Sequence, residues 1–443
     1  MKKVLCVVLC LMLAIGLLAV ANAENVVVEA VPNEGQFEGQ ELSILVSAGW
    51  MDNRYDATIA RFEETYGVTV DLQTLPADQY FNVLTSDLDN GTCPDVFWTQ
   101  SNPAGMLVSM IGDPENRCID FTGAEWQNVM PEARQAACIA FDKLFGLQIW
   151  HNSPEYVMVY NKTLFEELGI ESVPTTYEEL KADCAIIAEA GITPWFLPGA
   201  DGWQHQLAFF QIGGVYEEAQ PGLYDALNNN TATFAGNEKM LEVLGQFKEL
   251  SDLGYFGEDW IGTDSTNMAN EYGDRTIAMA MANSSYIKQL QDELDTEDEF
   301  GMFLIPLGDN TWFPTSPAGP TMFGYKGTEH EDLVRAWFQF VCTPESLQEI
   351  LDNSPNYTNL HVNVDIDQHW LPEEEEFVAS IDPAKMNCCV LQNGTKYTND
   401  YWMQFGEDMI AYVQGSIEAN DVLARMDEYR AQGAATVGDE AWK

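Results

Sequence analysis

Glu41-Leu42-Ser43-Ile44-Leu45-Val46-Ser47 is a short, mostly apolar run that reads as a strand, and Asp56 to Tyr66 has helical spacing and stops at Gly67. Val68-Thr69-Val70-Asp71-Leu72 reads as a second strand. A strand, helix and strand joined this tightly form a β-α-β unit, and that order constrains the fold more than any other feature, because it predicts parallel strands. The pattern recurs, with Gln79 to Asp89 as helix, Asp95 to Trp98 as strand, Tyr156 to Tyr160 as strand and Thr163 to Leu168 as helix. Tyr177 to Ala190 is expected as a helix entered through Pro174-Thr175-Thr176, with a Thr as N-cap and Glu178 and Glu179 in the first turn. Later helices are expected over Lys239 to Leu253, Glu331 to Val341 and Asn399 to Gln414, the last halted at Gly415. Strands are expected over Thr276 to Met281 and Phe300 to Pro306. An α/β chain of 443 residues usually divides in two, so two lobes with a cleft between them is the expected shape.

The chain carries 70 Asp and Glu against 20 Lys and Arg, a formal charge of -50, yet 46% of it is hydrophobic. That apolar share excludes an acidic disordered tail and leaves a folded body with an acidic skin. The same charge excludes nucleic acid as a partner, since affinity for phosphate backbones comes from basic side chains and no basic run exists. An anionic membrane surface is disfavoured on the same ground. The run Glu373 to Glu376 reads as a solvated face.

Met1-Lys2-Lys3, the apolar run Val4 to Val20 and then Ala21-Asn22-Ala23 form a charged region, a hydrophobic region and a small-residue cleavage site. Residues 1–23 therefore read as a secretory signal peptide, with 24–40 a short acidic leader. The rival reading, a membrane anchor, is disfavoured because the run is short for a bilayer. Leu17 to Ala23 contains no Cys, so a lipid-anchored form is not expected. Beyond the signal lie Cys93, Cys118, Cys138, Cys184, Cys342, Cys388 and Cys389, an odd and scattered set that makes no disulfide framework. The vicinal Cys388-Cys389 pair reads as two unreactive thiols.

Catalytic constellations are missing. The sequence has no G-x-S-x-G, H-E-x-x-H, Walker loop or G-x-G-x-x-G, and so no cofactor motif. His151, His205, His330, His361 and His369 stand far apart without ligand spacing, and Asp87-Leu88-Asp89-Asn90-Gly91 lacks the closing Glu of a calcium loop. No metal and no catalytic residues are expected. Aromatic residues in turn-like settings stand out instead: Trp50 in Gly49-Trp50-Met51-Asp52-Asn53, Trp98 in Phe97-Trp98-Thr99-Gln100-Ser101-Asn102, and Trp203 in Asp201-Gly202-Trp203-Gln204-His205. In open α/β sheets ligands gather at the carboxyl ends of strands. An aromatic face with Asp, Asn or Gln beside it suits a sugar, the ring covering the C–H face of a pyranose while carboxylates and amides bond its hydroxyls. Trp is also a good core residue, and for each ring a structural role is the competing reading.

Val159-Tyr160-Asn161-Lys162-Thr163-Leu164-Phe165-Glu166-Glu167-Leu168-Gly169-Ile170, continuing through Val173-Pro174-Thr175-Thr176-Tyr177-Glu178-Glu179-Leu180, resembles a signature of the family 1 extracellular solute-binding proteins. These are the carbohydrate-capturing components of ABC importers and include the maltose-binding proteins. Cys93-Pro94-Asp95-Val96-Phe97-Trp98 resembles the family's G-P-D segment. Ile192-Thr193-Pro194 leads into its Asp201-Gly202-Trp203 loop, Gly273 to Met279 is similar to its Gly-to-A-M strand, and Tyr401-Trp402 to Gly415 is similar to its last ligand-facing helix.

The resemblance implies the type II periplasmic-binding-protein fold, two hinge-linked α/β lobes with a central cleft. One lobe is expected at residues 41–150 plus 320–354 and the other at 155–316 plus 359–443. It implies that Trp98, Ser101, Trp203 and Trp402 contact sugar, with Tyr286 where maltose-binding relatives carry Trp, and Asp52 as the first acidic contact. Asp201 lies within one residue of an acidic contact, and Glu155 one residue from a hinge Glu. Asn53 stands where those relatives have Lys and Ser101 where they have Asp, which departs from the maltose pattern. It further implies a monomeric, extracytoplasmic, non-enzymatic protein that delivers a sugar or oligosaccharide to ABC permease subunits in the membrane. Two rival readings share these features: a secreted glycoside hydrolase, and a same-fold receptor for a cationic solute held by Asp52, Asp201 and Glu155.

Overall fold

The structure is a computed structural model that describes residues 26–150, 154–354, 357–386 and 388–443. The segment read as a secretion signal lies outside the described residues, as does His151. In chain order the strands of the two main sheets are β1 (Glu41–Ser47), β2 (Thr69–Leu75), β3 (Val96–Ser101), β4 (Gly146–Leu147), β5 (Val157–Asn161), β6 (Thr193–Phe196), β7 (Ile277–Ala282), β8 (Phe300–Phe303) and β9 (Gly319–Gly324). The helices that matter here are α1 (Asp56–Tyr66), α2 (Ala77–Asn90), α3 (Tyr177–Glu189), α4 (Glu238–Asp252), α5 (Glu331–Val341), α6 (Pro344–Asp352), α7 (Trp402–Val413) and α8 (Ala419–Val437).

The chain forms two compact units. Of the described residues, one combines Val26–Trp150 with Pro317–His369, and the other combines Pro154–Ser316 with Trp370–Lys443. Residues 359–369, expected with the second body, belong to the first, because Leu360 and Val364 are buried in its core.

In the first unit the sheet order is β2-β1-β3-β9-β4. β1 pairs in parallel with β2, from Glu41 opposite Thr69 to Ser47 opposite Leu75, and in parallel with β3, as the crossovers predict. α1 buries Thr58, Phe62 and Tyr66 and closes on Gly67, whose φ of 66° is the left-handed conformation that ends a helix at little cost to glycine. Phe62 meets Trp337 of α5 edge-on at 5.0 Å, and the Arg61 guanidinium donates to both oxygens of Glu349 on α6. The wholly parallel sheet is corrected at β9, which runs antiparallel to both β3 and β4. β9 reaches the sheet after the chain has passed through the second unit, so no β-α-β crossover dictates its direction.

In the second unit the order is β8-β5-β7-β6. β5 is antiparallel to both β7 and β8, and only β6 with β7 is parallel. β7 (Ile-Ala-Met-Ala-Met-Ala) is buried at every position, as a strand covered on both faces must be. β8 stops ahead of Pro306, which has no ladder donor. α3 begins in the expected way: the Thr176 hydroxyl accepts the Glu179 N–H at 3.3 Å, and the Glu179 carboxylate accepts the Thr176 N–H at 3.2 Å. The helix expected over Asn399 to Gln414 is divided, with a 3-10 turn at Asn399–Tyr401 ahead of α7.

On α3, burial raises the Asp183 carboxyl to about 6, helped by the charge of Glu179. An unfolded Asp titrates near 3.9, so between about 4 and 6 the folded chain holds the extra proton and stability falls as pH rises. Above pH 6 the penalty is complete. Asp183→Asn is therefore expected to raise the melting temperature at pH 7.5 and to leave it unchanged near pH 4, as read by circular dichroism.

Candidate functional site

The second unit gathers aromatic rings at the carboxyl end of β6. After that strand the chain enters a loop pinned by Gly199 N–H to Trp260 O (2.7 Å) and Ala200 N–H to Thr263 O (3.0 Å). The Asp201 carboxylate braces the same loop, accepting from the Gln204 amide at 2.9 Å and from the Ser265 N–H at 3.0 Å. Gly202, at φ 75°, makes a turn that a β-carbon would strain, and it delivers Trp203 toward α7.

The approach of α7 to this loop is close enough to require glycine. A β-carbon on Gly406 would lie 2.1 Å from the Gly202 carbonyl oxygen and 2.6 Å from Gln206 Oε1. The Gln206 amide meanwhile donates to the Trp402 carbonyl at 3.1 Å. The result is a tilted indole pair, Trp203 and Trp402, with centroids 6.5 Å apart and planes at 32°. Tyr156 stands 6.3 Å from Trp203, its ring tilted by 59°. Trp402 is backed by Phe210, stacked at 5.6 Å and 24°, and Phe210 by Phe405 at 4.7 Å and 28°. Trp203, Trp402 and Tyr156 are each half-buried, packed against the margin of the unit's core. Burial raises the Tyr156 phenol and the charge of Glu155 raises it further, so the hydroxyl stays neutral and serves as donor and acceptor.

Beside Tyr156 lies a polar cluster in the same unit. The Glu155 carboxylate accepts from the Asn393 amide at 3.4 Å and from the Gln392 amide at 3.5 Å. Asn393 also donates to the Ser316 hydroxyl at 2.9 Å, and Gln211 Oε1 accepts the Tyr156 N–H at 3.2 Å.

The other expected site residues are placed differently. Tyr286 opens a short helix, half-buried, with its ring 6.5 Å from Tyr272 in a separate core cluster. In the first unit Trp50 sits on the turn after β1, half-buried and edge-on to Tyr80 and Phe81 at 5.3 and 5.9 Å. Asp52 begins a 3-10 turn (Asp52–Tyr55), and its side chain lies outside what the structure describes. β3, read as ending at Trp98, continues to Ser101, and the Trp98 ring is 2% exposed, packed edge-on against Tyr55 in the core. Ser101 is wholly buried, its hydroxyl 2.6 Å from Thr321 Oγ1 and accepting from Gln148 Nε2 at 3.1 Å. In this structure Trp98 and Ser101 are occupied by neighbours within their own unit. Sequence reading missed Phe210, Gln206, Gln211, Gln392 and Asn393; nothing in their local pattern marks them, because they meet only through the fold.

Among the described residues no group of three or more His, Cys, Asp or Glu is placed to hold a metal ion. Burial depresses His205 and His361 to about 3, with the Arg134 charge adding to the effect on His361, so both are neutral at physiological pH. The seven cysteines past the leader are all unbridged. No helix of the described residues is long and apolar enough to cross a membrane.

The mixed α/β fold of two units is the architecture of extracellular solute receptors, and comparison with known proteins agrees. The chain belongs to the family of bacterial extracellular solute-binding proteins, whose family model matches residues 48–348. A protein of Brucella abortus (strain 2308) named only as a binding protein is 29% identical over 246 residues, 55% of this chain and 57% of that protein. The chain thus spans little more than half the length of the curated relatives it matches. Among solved structures, a chitin oligosaccharide binding protein superposes with a TM-score of 0.71 at 15% identity, covering 89% of this chain and 99% of the other. A protein from the xylan utilisation system of Caldanaerobius polysaccharolyticus gives 0.69 at 15% identity, over 88% and 99%. At such identity these two report on the fold alone.

Proposed function

We propose that this protein captures an uncharged sugar or oligosaccharide outside the cytoplasm and delivers it, unaltered, to the permease of an ABC importer. The observation that carries this reading is the Trp203–Trp402 pair with Tyr156 beside it, half-buried aromatic residues on one unit with neutral amides next to them. Such rings cover the C–H faces of a pyranose with apolar area, and capture needs no bond to be made or broken. The glycans named for two structural neighbours support the same class of solute. Asp201 is engaged in bracing its loop and Glu155 receives two amide donors, which favours a neutral solute over the cationic one. Export through the signal peptide at residues 1–23 and function as a monomer belong to the same proposal.

The test is calorimetry of the mature protein against xylobiose, N,N′-diacetylchitobiose, raffinose and galactose, with spermidine as the cationic control and reducing ends assayed after each incubation. A saturable heat with at least one neutral glycan and no new reducing ends is expected. Binding of spermidine alone, or steady release of reducing ends, would sink the proposal.

A further inference from the structure

A cavity opens at the edge of the second unit's sheet. It encloses about 510 Å³ with its open mouth included, within the range of small-molecule sites, about 300–1,000 Å³. It lies against β6, the edge strand, and the start of β7, and the segment Phe256–Trp260 completes its lining. Three aromatic residues face it: Phe196 and Phe256, both buried, and Trp260, half-buried. This wall is held from the protein side. A β-carbon on Gly199 would stand 2.9 Å from the Trp260 ring and 3.0 Å from the Ile261 backbone, so only glycine lets the chain pass there. The Trp260 ring also packs against His205, centroids 4.7 Å apart, and burial keeps that imidazole neutral. Neither Trp203, Trp402 nor Tyr156 lines the cavity.

Charge sets what such a cavity can take. Glu258 and Asp259, exposed, and Glu271, half-buried, line it together with the rings. Among the described residues no Lys, Arg or His lines it to offset them. Arg275, which follows Glu271 closely in the chain, is spent on Glu167 and Asp298. The Glu271 carboxylate accepts from the Thr276 hydroxyl and, with about four lone-pair sites, keeps capacity for a further donor. An anion would add another like charge to this set. A neutral solute would cover the rings and leave the carboxylates unanswered. An organic cation answers both, because an ammonium is drawn to carboxylates and to the electron-rich face of an indole, while its hydrocarbon part fills the apolar lining. We propose that this cavity is a second binding site, separate from the Trp203–Trp402 pair, which takes a small organic amine with an apolar body. The formal charge of -50 raises the concentration of such cations near the protein.

The experiment is calorimetry of the mature protein with 2-phenylethylamine, beside 2-phenylethanol and 3-phenylpropanoate as its neutral and anionic counterparts. It is run at physiological ionic strength, which screens loose attraction to the acidic surface. The amine is expected to bind saturably and about tenfold or more tighter than the alcohol, and the carboxylate not to bind. Glu258→Gln and Glu271→Gln are each expected to weaken the amine about fivefold or more. Two controls should stay within about twofold of wild type: Glu376→Gln, an exposed carboxylate that does not line the cavity, and Trp402→Ala. Absence of saturable amine binding, equal binding of the alcohol, unchanged affinity in both cavity variants, or an equal loss in either control overturns the inference. Should the cavity variants not fold, the indole N–H resonance of Trp260 in wild type decides: a shift on titrating the amine supports the site, and an unmoved resonance overturns it. The readout is the amine alone, so its failure leaves the glycan reading standing, and failure of glycan binding leaves this result standing.

Discussion

Gly406→Ala is expected to destabilise the protein by about 3 kcal/mol or more and to weaken glycan binding at the same time. The added β-carbon would stand 2.1 Å from a backbone oxygen, that of Gly202, which cannot rotate aside as a side chain would. Inserted atoms in a packed setting cost about 1–3 kcal/mol when neighbours can shift, and more when they cannot. Relief requires α7 to move away from the loop, which parts Trp402 from Trp203. Gly245→Ala, an exposed position within α4 where a β-carbon meets nothing within 4 Å, is the matched control. There the same change is expected to stabilise by about 0.5–1 kcal/mol, because alanine is the better helix former. Denaturant melts of the two variants separate the effects, and loss of stability in neither would contradict the close approach.

Removing the rings themselves is expected to act on affinity more than on fold. Trp203→Ala and Trp402→Ala should each weaken the best-bound neutral glycan at least tenfold, about 1.4 kcal/mol. Both residues are only partly buried at the margin of the core, so the variants should keep their secondary structure, though Trp402 also rests on Phe210 and its loss will lower the melting temperature somewhat. Trp402→Phe, which keeps a ring on Phe210, should recover part of the affinity. Wild-type binding by both alanine variants would place the sugar elsewhere.

Much of the architecture was legible because local signals agreed. The strand Glu41–Ser47 and the helix Glu331–Val341 coincide with their expected ends, and α1 stops at the glycine that can adopt the left-handed turn. Strand direction was less legible: apolar runs such as Phe300–Phe303 and Gly319–Gly324 carry no mark of whether a neighbour runs with or against them. Burial on both faces had a similar effect at Trp98. All of β3 but Gln100 is buried, so no alternation told which side of the sheet the indole would take, and it went to the core. Trp203 and Trp402, 199 positions apart, do meet, which the residues alone could only suggest through the resemblance. The amides of Gln211, Gln392 and Asn393 had no signal at all, since their meeting with Glu155 and Tyr156 is a property of assembled surroundings.

The late return of the chain to its first sheet bears on how that sheet is made. β3 lies between β1 and β9, and β9 is synthesised only after residue 318. A growing chain that has emerged as far as the second unit thus carries β3 with a bare, apolar edge, the kind that recruits strands from other molecules. Neither body can close on its own stretch of sequence, because the second also waits for Trp370–Lys443. Such a polypeptide gains little by folding as it is made, and is better suited to being held extended until it is whole.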